Sequence, residues 1–385
     1  MIFQPLRDFL DSYLPMLGIP GSDTLIYVKG KEVFRYQSGF DNIELKTPLN
    51  PKGLYNLYSC TKIATMCTLL TLLEKGEVHL YDPVYAYLPA FRDLTVRFQK
   101  ENGEWDVRPA KTVMTIRQLM SMTSGMNYDL ASPEILAVKE KTNGRCPTVE
   151  TVCAMAKTPL LFDPGTDYNY SLSHDVIGAV IEVVSGMSFA DYMKEALLDP
   201  IGMTDTSFKV TPERIARTNT QYKYNPTTRC AEIMPADALP YRLGTEYESG
   251  GAGLSSCVDD YILLAETLTH MGLAPNGNRV LAPSTVELMR TNVLEGKAME
   301  TFVKSAGARL AGYGYGLGVR TMMNPGIGAS LSPVGEFGWD GAKLCHLIAD
   351  PTNELSVFHA EHLGNFHELV QPRLRNVIYA CISRL

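Results

Sequence analysis

Ser59 and Lys62 are the pair of residues whose types and spacing first suggest chemistry in this sequence. A helix that begins here places residues three apart on one face, so the serine hydroxyl and the lysine amine can meet. A neutral amine could take the hydroxyl proton and make the serine a nucleophile. Free N–H groups at the helix N-terminus add partial positive charge. Alone, the pattern S-x-x-K is weak, because about one is expected by chance in such a chain.

Tyr170 is a second candidate, in a stretch that follows the turn Pro164-Gly165 and leads to a helix predicted from about Ser173. A phenol beside a lysine ammonium can have its pKa lowered and act as a base or a proton shuttle. The alternative is that Tyr168 and Tyr170 simply pack beneath a loop. Taken alone, the stretch favours that alternative.

The third candidate is the stretch Gly335-Glu-Phe-Gly-Trp339-Asp340-Gly341-Ala342. A strand that carries glycine lets its backbone approach a ligand closely. The N–H of Ala342 could form half of an oxyanion hole, and the N–H of Ser59 the other half. A tight turn between two strands is the competing interpretation.

The elements that would position these residues follow from hydrophobic periodicity. The sequence predicts an amphipathic helix over 2–14, a β-hairpin over 24–36 and a helix from 59 to about 75. A closing helix with Pro372 in its first turn is also predicted. Further helices are predicted at 115–122, 147–157, 173–185, 188–198, 257–271 and 283–293, and strands at 312–321, 336–339, 344–349 and 355–359.

Strands and helices at both chain ends therefore bracket a mainly helical middle. We expect a discontinuous sheet domain from 1–78 and 301–385, with an inserted helical domain over 79–300. The segment 218–250 has no helical period and is predicted to be a long surface excursion or a lid.

Composition and charge exclude several classes of protein. The chain has 385 residues, is 45% apolar and 20% charged, and carries a formal charge of −7. This is ordinary globular composition, and it lacks the basic footprint of a nucleic-acid binder. Arg7, Asp8 and Asp11 interrupt any secretory signal, and the longest apolar run, 63–73, is too short to span a bilayer. We therefore expect a cytoplasmic protein with no membrane partner.

Metal and alternative catalytic sites are poorly supported. The eight cysteines form no C-x-x-C pair, so we expect them to be reduced and mostly buried. His359, His362 and His367 near Glu361 lack the spacing H-E-x-x-H, and no G-x-S-x-G elbow occurs. His174 is expected to begin a helix rather than to act in the site.

The three candidate stretches, in this order, resemble the serine β-lactamase and penicillin-binding-protein-like superfamily, in particular its class C-like esterase branch. Supporting stretches that also resemble the family are 57–62, 115–125, 164–166, 199–203, 250–255 and 312–318. The resemblance implies an acylated nucleophile at Ser59, a proton-handling pair of Lys62 and Tyr170, and oxyanion donation by Ser59 and Ala342. It further implies an α+β fold with an antiparallel sheet flanked by helices, an inserted helical domain, and no metal or organic cofactor.

Two departures from the family pattern concern substrate. Leu172 stands where these β-lactamases carry asparagine, and Trp339, followed by Asp340 and Gly341, stands where they carry the lysine of Lys-Thr-Gly. We expect these residues to line a substrate pocket without a cation for a β-lactam or peptide carboxylate. Alternatively, Lys343 or Arg320 supplies the missing charge.

The favoured hypothesis is a serine hydrolase, most simply a carboxylesterase acting on small uncharged esters, with weak or no β-lactamase activity. An amidase, a D-aminopeptidase or an acyltransferase on the same scaffold is the first alternative. A penicillin-recognising or scaffolding protein without turnover is the remote one. The expected partner is a small-molecule ester or amide.

Overall fold

The computed structural model describes residues 2–235, 238–366 and 369–385. Its strands are β1 (Gly21–Val28), β2 (Lys31–Gly39), β3 (Tyr55–Asn56), β4 (Thr95–Gln99), β5 (Trp105–Pro109), β6 (Tyr222–Asn225), β7 (Cys230–Ile233), β8 (Ser255–Ser256), β9 (Tyr313–Tyr315), β10 (Arg320–Met322), β11 (Phe337–Asp340), β12 (His346–Asp350), β13 (Leu355–Ala360) and β14 (Leu363–Gly364).

The α-helices are α1 (Gln4–Asp8), α2 (Leu14–Met16), α3 (Thr61–Glu74), α4 (Ile116–Met120), α5 (Pro133–Lys141), α6 (Thr148–Met155), α7 (Ser173–Ser185), α8 (Phe189–Met193), α9 (Asp199–Ile201), α10 (Pro212–Arg217), α11 (Val258–Thr269), α12 (Pro283–Arg290), α13 (Gly296–Ala306), α14 (Pro325–Gly328) and α15 (Val370–Ile382). Short 3₁₀ or π turns cover Phe9–Tyr13, Tyr58–Cys60, Val84–Ala86, Pro89–Phe91, Lys194–Leu198 and Gly307–Leu310.

The main sheet has seven strands in the order β2-β1-β13-β12-β11-β10-β9. Every neighbouring pair in it is antiparallel, so the first two strands of the chain are joined to the last ones through the pairing of β1 with β13. This confirms that the sheet is built from both chain ends. The division into a sheet domain and an inserted helical domain stays a prediction.

Alternate residues of the central strands face two different cores, as the pleat of a strand requires. In β13, Val357 packs with the N-terminal helix and with α15, while Phe358 packs with α3 and α11. Helix α3 lies inside the core that contains Phe358, and its residues 61–72 are all buried. Its threonines remain satisfied because Thr65 and Thr68 donate to carbonyls one turn earlier.

Two sequence expectations need correction or detail. The stretch 312–321 is a hairpin of β9 and β10 rather than one strand, because Gly316 and Gly318 turn the chain. A Cβ at Gly316 would lie 2.3 Å from the carbonyl oxygen of Met289, and Gly318 has φ +84°. The described part of 218–250 contains the hairpin of β6 and β7, and β6 pairs in parallel with β14.

Among the described residues, no single helix is both long and apolar enough to cross a bilayer. Ser173–Ser185 and Phe189–Ile201 reach that length and apolar composition only when they are taken together, and the chain bends by 82° between them.

Candidate active site

Ser59 lies in the 3₁₀ turn Tyr58–Cys60 that leads directly into α3. The predicted helix start is therefore confirmed, with its first turn tighter than an α-helix. Tyr58, the residue before it, has φ +47°, which is uncommon for a bulky side chain and accumulates at functional sites. The N–H groups of a first helical turn lack partners within the helix, so the amide of Ser59 is free of the ladder.

Lys62 is completely buried and lies one turn below Ser59. Its Nζ is 3.3 Å from Ser59 Oγ, 2.8 Å from the carbonyl oxygen of Gly251 and 3.5 Å from the hydroxyl of Tyr128. The sequence prediction that the hydroxyl and the amine meet is thus confirmed as geometry. The amine is held by three oxygen atoms, which fixes its position against the hydroxyl.

Asp175 provides a buried carboxyl group next to this lysine. A Cβ at Gly251 would lie 2.7 Å from Asp175 Oδ2 and 3.3 Å from Lys62 Nζ, so both groups crowd the same glycine. Burial raises the pKa of Asp175, and hydrogen bonds and the charge of Lys62 oppose that rise. Ser249 and Tyr247 donate to Oδ1 at 2.7 and 2.9 Å. No motif in the sequence marked this residue as part of the site.

Tyr170 lies between two other aromatic rings. It stacks on Tyr128 with a centroid separation of 5.7 Å and on Trp339 at 5.8 Å. The Nζ of Lys62 lies 4.7 Å from the centroid of the Tyr170 ring. The indole Nε1–H of Trp339 donates to the Tyr170 hydroxyl at 3.1 Å. The structure therefore places the ring of Tyr170 against Lys62 and places Tyr170 and Ser59 in the lining of one cavity. The role of Tyr170 in proton handling stays a prediction. Tyr128, whose hydroxyl lies 3.5 Å from Lys62 Nζ, is a residue that the sequence analysis missed.

The turn after β11 brings Ala342 to the same cavity as Ser59. The N–H of Gly341 donates to the carbonyl of Cys345 at 2.7 Å, and the N–H of Leu344 donates to Gly341 at 3.0 Å. The N–H of Ala342 has no hydrogen-bond partner within the described ranges. A Cβ at Gly341 would lie 2.4 Å from the carbonyl oxygen of Leu57, so only glycine lets this turn approach the segment before Ser59.

The cavity beside Ser59 has a volume of about 680 Å³. Three of the residues predicted to line the pocket, Trp339, Asp340 and Gly341, do line it. Ala342 and Arg309 line it as well. These walls combine aromatic surface with a single pair of opposite charges among the described lining residues.

Asp340 is part of a buried ionic network behind Trp339. It accepts from Arg309 at 2.8 Å and from Arg320 at 3.2 Å, and His346 also hydrogen-bonds to it. Burial alone would raise the pKa of Asp340, but Arg320, His346 and Arg309 together hold it well below its usual value. The carboxylate is therefore charged and compensated. These partners offset the repulsion that this carboxylate would otherwise exert on an anionic substrate.

Neither cation proposed from the sequence reaches this cavity. Arg320 is fully buried and is shared between Asp340 and Glu336. Lys343 lies against Tyr58 on another side of the turn. Arg309, from the turn after α13, is the charged group that sequence reasoning missed, and no motif points to it.

Leu172 does not line the cavity beside Ser59, in contrast to the sequence expectation. Its side chain is buried in a small separate cavity with Phe91 and Leu94. The chain turns into α7 directly after it, which directs the side chain into the helical core. His174 is the second residue of α7, as predicted, and is completely buried. Burial, together with the charge of Lys62, lowers the pKa of His174 to about 3.

The histidines considered as metal ligands are engaged elsewhere. His359 hydrogen-bonds to Thr24 and Glu361, each at 2.8 Å. His362 accepts from the N–H of Asn56 and bonds to the carbonyl of Asn219. His367 lies outside the described residues. Within the described ranges, no group of three His, Cys, Asp or Glu side chains is arranged to hold a metal ion.

Comparisons with known proteins agree with this architecture. The family model Beta-lactamase matches residues 6–366. Protein Rv1367c of Mycobacterium tuberculosis is 27% identical over 361 residues, which cover 92% of this chain and 87% of that protein. Acyltransferase calJ of Penicillium decumbens is 27% identical over 352 residues, which cover 83% of this chain and 78% of that protein.

A solved structure of similar fold is EstCE1, described as a hydrolase with promiscuous acyltransferase activity. It superposes with a TM-score of 0.78 at 24% identity and covers 99% of this chain and 98% of its own. The fold class predicted from the sequence, a mixed fold with an antiparallel sheet flanked by helices, is confirmed.

Proposed function

The chain belongs to the Beta-lactamase family, and on that premise we propose that it is a serine esterase that works through an acyl-enzyme on Ser59. The observation that carries the proposal is the 3.3 Å contact between Lys62 Nζ and Ser59 Oγ, beside Tyr170 and inside a cavity large enough for a small ester. A nucleophile within hydrogen-bond reach of a base, which other groups hold in place, is the arrangement that covalent catalysis needs.

In the proposed reaction, Ser59 Oγ attacks the ester carbonyl carbon while its proton passes to the pair of Lys62 and Tyr170. The carbonyl oxygen becomes an oxyanion and accepts hydrogen bonds from the N–H groups of Ser59 and Ala342. The bond from carbon to the alcohol oxygen then breaks, and the alcohol leaves with the proton held by the pair. Water repeats the sequence on the acyl-enzyme and releases the acid. Two such N–H donors stabilise charge that develops only in the transition state.

The lining of the cavity supports uncharged esters as the substrate class. Arg309 and Asp340, the charged lining residues in the described part of the chain, pair with each other at 2.8 Å. The Nη1 group of Arg309 is already engaged by Asp340, which weakens its attraction for an anionic substrate, and Trp339 offers such a substrate an apolar wall. A charge-assisted hydrogen bond is worth about 1.5–3 kcal/mol, so its absence costs about 10–150-fold in binding.

The test compares kcat/KM for p-nitrophenyl butyrate and for a chromogenic cephalosporin on one preparation. We expect the ester to be turned over at least about tenfold more efficiently. Equal efficiency on both substrates would contradict the esterase proposal and the role of Trp339. Ser59→Ala is the matched control for background hydrolysis, because it removes only the nucleophilic oxygen.

Acyl transfer is a second candidate, and the similarity to acyltransferase calJ favours it. The acyl-enzyme would be the same, and an alcohol instead of water would accept the acyl group. Adding a short alcohol to the ester assay distinguishes the two. A new ester product at the expense of free acid supports the transferase, and acid alone supports the esterase.

A further inference from the structure

A buried cluster of Tyr58, Gln221 and Lys343 lies beside both predicted oxyanion donors. Tyr58 directly precedes Ser59, and Lys343 directly follows Ala342. All three side chains in the cluster are at most 5% exposed. The mechanism derived above uses none of them, although Tyr58 and Lys343 are each adjacent in sequence to a donor of the proposed oxyanion hole.

One oxygen atom joins the two sides of this cluster. The hydroxyl of Tyr58 donates to Gln221 Oε1 at 2.8 Å, and Lys343 Nζ donates to the same atom at 2.9 Å. The Nζ also lies 5.5 Å from the centroid of the Tyr58 ring. Gln221 therefore connects the residue before Ser59 with the residue after Ala342, although the two segments are far apart in sequence.

The backbone on both sides is in conformations that need such support. Tyr58 has φ +47°, and Leu344, which closes the turn after Ala342, has φ +70°. Side chains with a Cβ rarely adopt this region without constraint from their surroundings. The backbone of Gln221 is itself fixed, because its main-chain carbonyl accepts a hydrogen bond from the N–H of Met234 at 2.8 Å.

The contacts of Lys343 in the described ranges are not ionic. In the described ranges it has no carboxylate within salt-bridge distance, and its contacts are Gln221 Oε1, Met234 Sδ at 3.2 Å and the Tyr58 ring. Burying an ammonium without a counter-charge is costly. A structure that needed only packing here would be better served by an apolar side chain.

We propose that Gln221 is a positioning residue that fixes the distance between the N–H groups of Ser59 and Ala342. The inference rests on the proposed function, because it assigns a role within that oxyanion hole. An oxyanion hole acts only when both donors lie about 2.7–3.1 Å from the oxyanion. Loosening one side therefore weakens the binding of the transition state and leaves the binding of the ground-state ester largely unchanged.

The experiment compares Gln221→Ala, Gln221→Glu and the surface control Lys223→Ala, which is exposed two residues away. We expect Gln221→Ala to lower kcat for p-nitrophenyl butyrate by about 10–100-fold with KM within about threefold, since the loss of a whole donor costs about 10²–10³. The Ki of a trifluoromethyl ketone, which forms a tetrahedral adduct on serine, should rise by the same factor.

Gln221→Glu keeps an oxygen acceptor for both donors and should recover most of kcat, and Lys223→Ala should match the wild type. Tyr58→Phe removes only one of the two hydrogen bonds and serves if Gln221→Ala does not fold; it should lower kcat at constant KM. Wild-type kcat in Gln221→Ala, or in Tyr58→Phe when that variant replaces it, would overturn the inference alone. So would equal losses in Gln221→Ala and Gln221→Glu. No ester turnover by the wild type would overturn the proposed function and this inference with it.

Discussion

Lys62→Met tests how the proton of Ser59 is handled. Methionine has about the same length as lysine but carries no base, so the contact of 3.3 Å to Ser59 Oγ is lost. General base catalysis contributes about 10²–10⁴-fold, and we expect kcat to fall by that factor. Tyr170→Phe should cost a similar factor, because both groups lie on one proton path.

Lys62→Met should also lower the stability of the fold. The variant leaves the carbonyl of Gly251 without its donor at 2.8 Å, which costs about 1–3 kcal/mol. It also leaves the buried carboxyl group of Asp175 without the nearby charge of Lys62 that opposes the rise in its pKa, and an uncompensated buried charge is destabilising. We therefore expect the free energy of unfolding to fall by at least about 1–3 kcal/mol.

The assay is steady-state hydrolysis of p-nitrophenyl butyrate by the two single variants and the double variant, with urea unfolding of each. Lys75→Met, at the exposed residue that directly follows the same helix, is the matched control. It gives up a hydrogen bond of 3.1 Å to the Tyr192 hydroxyl and should keep wild-type kcat. The double variant should lie within about tenfold of the weaker single variant. Losses that multiply would show that Lys62 and Tyr170 act independently, and Lys62→Met activity within tenfold of wild type would refute the role of the amine.

Three further outcomes are expected. Gly251→Ala should lower kcat in the same assay, because its Cβ would lie 2.7 Å from Asp175 Oδ2 and 3.3 Å from Lys62 Nζ, so that both groups must shift; wild-type kcat would contradict this. Trp339→Phe removes the hydrogen bond to the Tyr170 hydroxyl. It should lower kcat/KM by about 2–12-fold, the factor that corresponds to the loss of one neutral hydrogen bond. Burial lowers the pKa of Lys343 to about 8 from 10.5, so between these pH values the unfolded chain binds more protons. Urea unfolding at two pH values should therefore show that the free energy of unfolding of the wild type, relative to that of Lys343→Met, rises from pH 7.5 to pH 9.5. A difference between the two proteins that stays constant with pH would contradict the lowered pKa.

The sequence predicts the parts of the site that depend on local spacing. A helix start puts Ser59 and Lys62 on one face whatever surrounds it, and strand periodicity locates β11 and the turn that carries Ala342. The same reasoning failed at 312–321, where alternating glycines have strand period but two of them form a turn. Local pattern cannot separate these cases, because the carbonyl of Met289 that excludes a side chain at Gly316 comes from a distant helix.

The residues missed by sequence reasoning all reach the site through tertiary contacts. Tyr128, Asp175 and Arg309 sit in segments with no catalytic pattern, and their roles follow from which groups they meet. Leu172 illustrates the converse, since its position in the chain suggested a pocket residue. The chain begins α7 directly after it, and the side chain packs into the helical core instead.

Covalent labelling of Ser59 tests the central claim most directly. The protein is treated with a fluorophosphonate, and intact-protein and peptide mass spectrometry then locate the adduct. We predict one phosphonyl group on Ser59 in the wild type and no labelling of a folded Ser59→Ala variant, which should also lack ester turnover. An adduct on another residue, or turnover that survives in Ser59→Ala, would contradict the account.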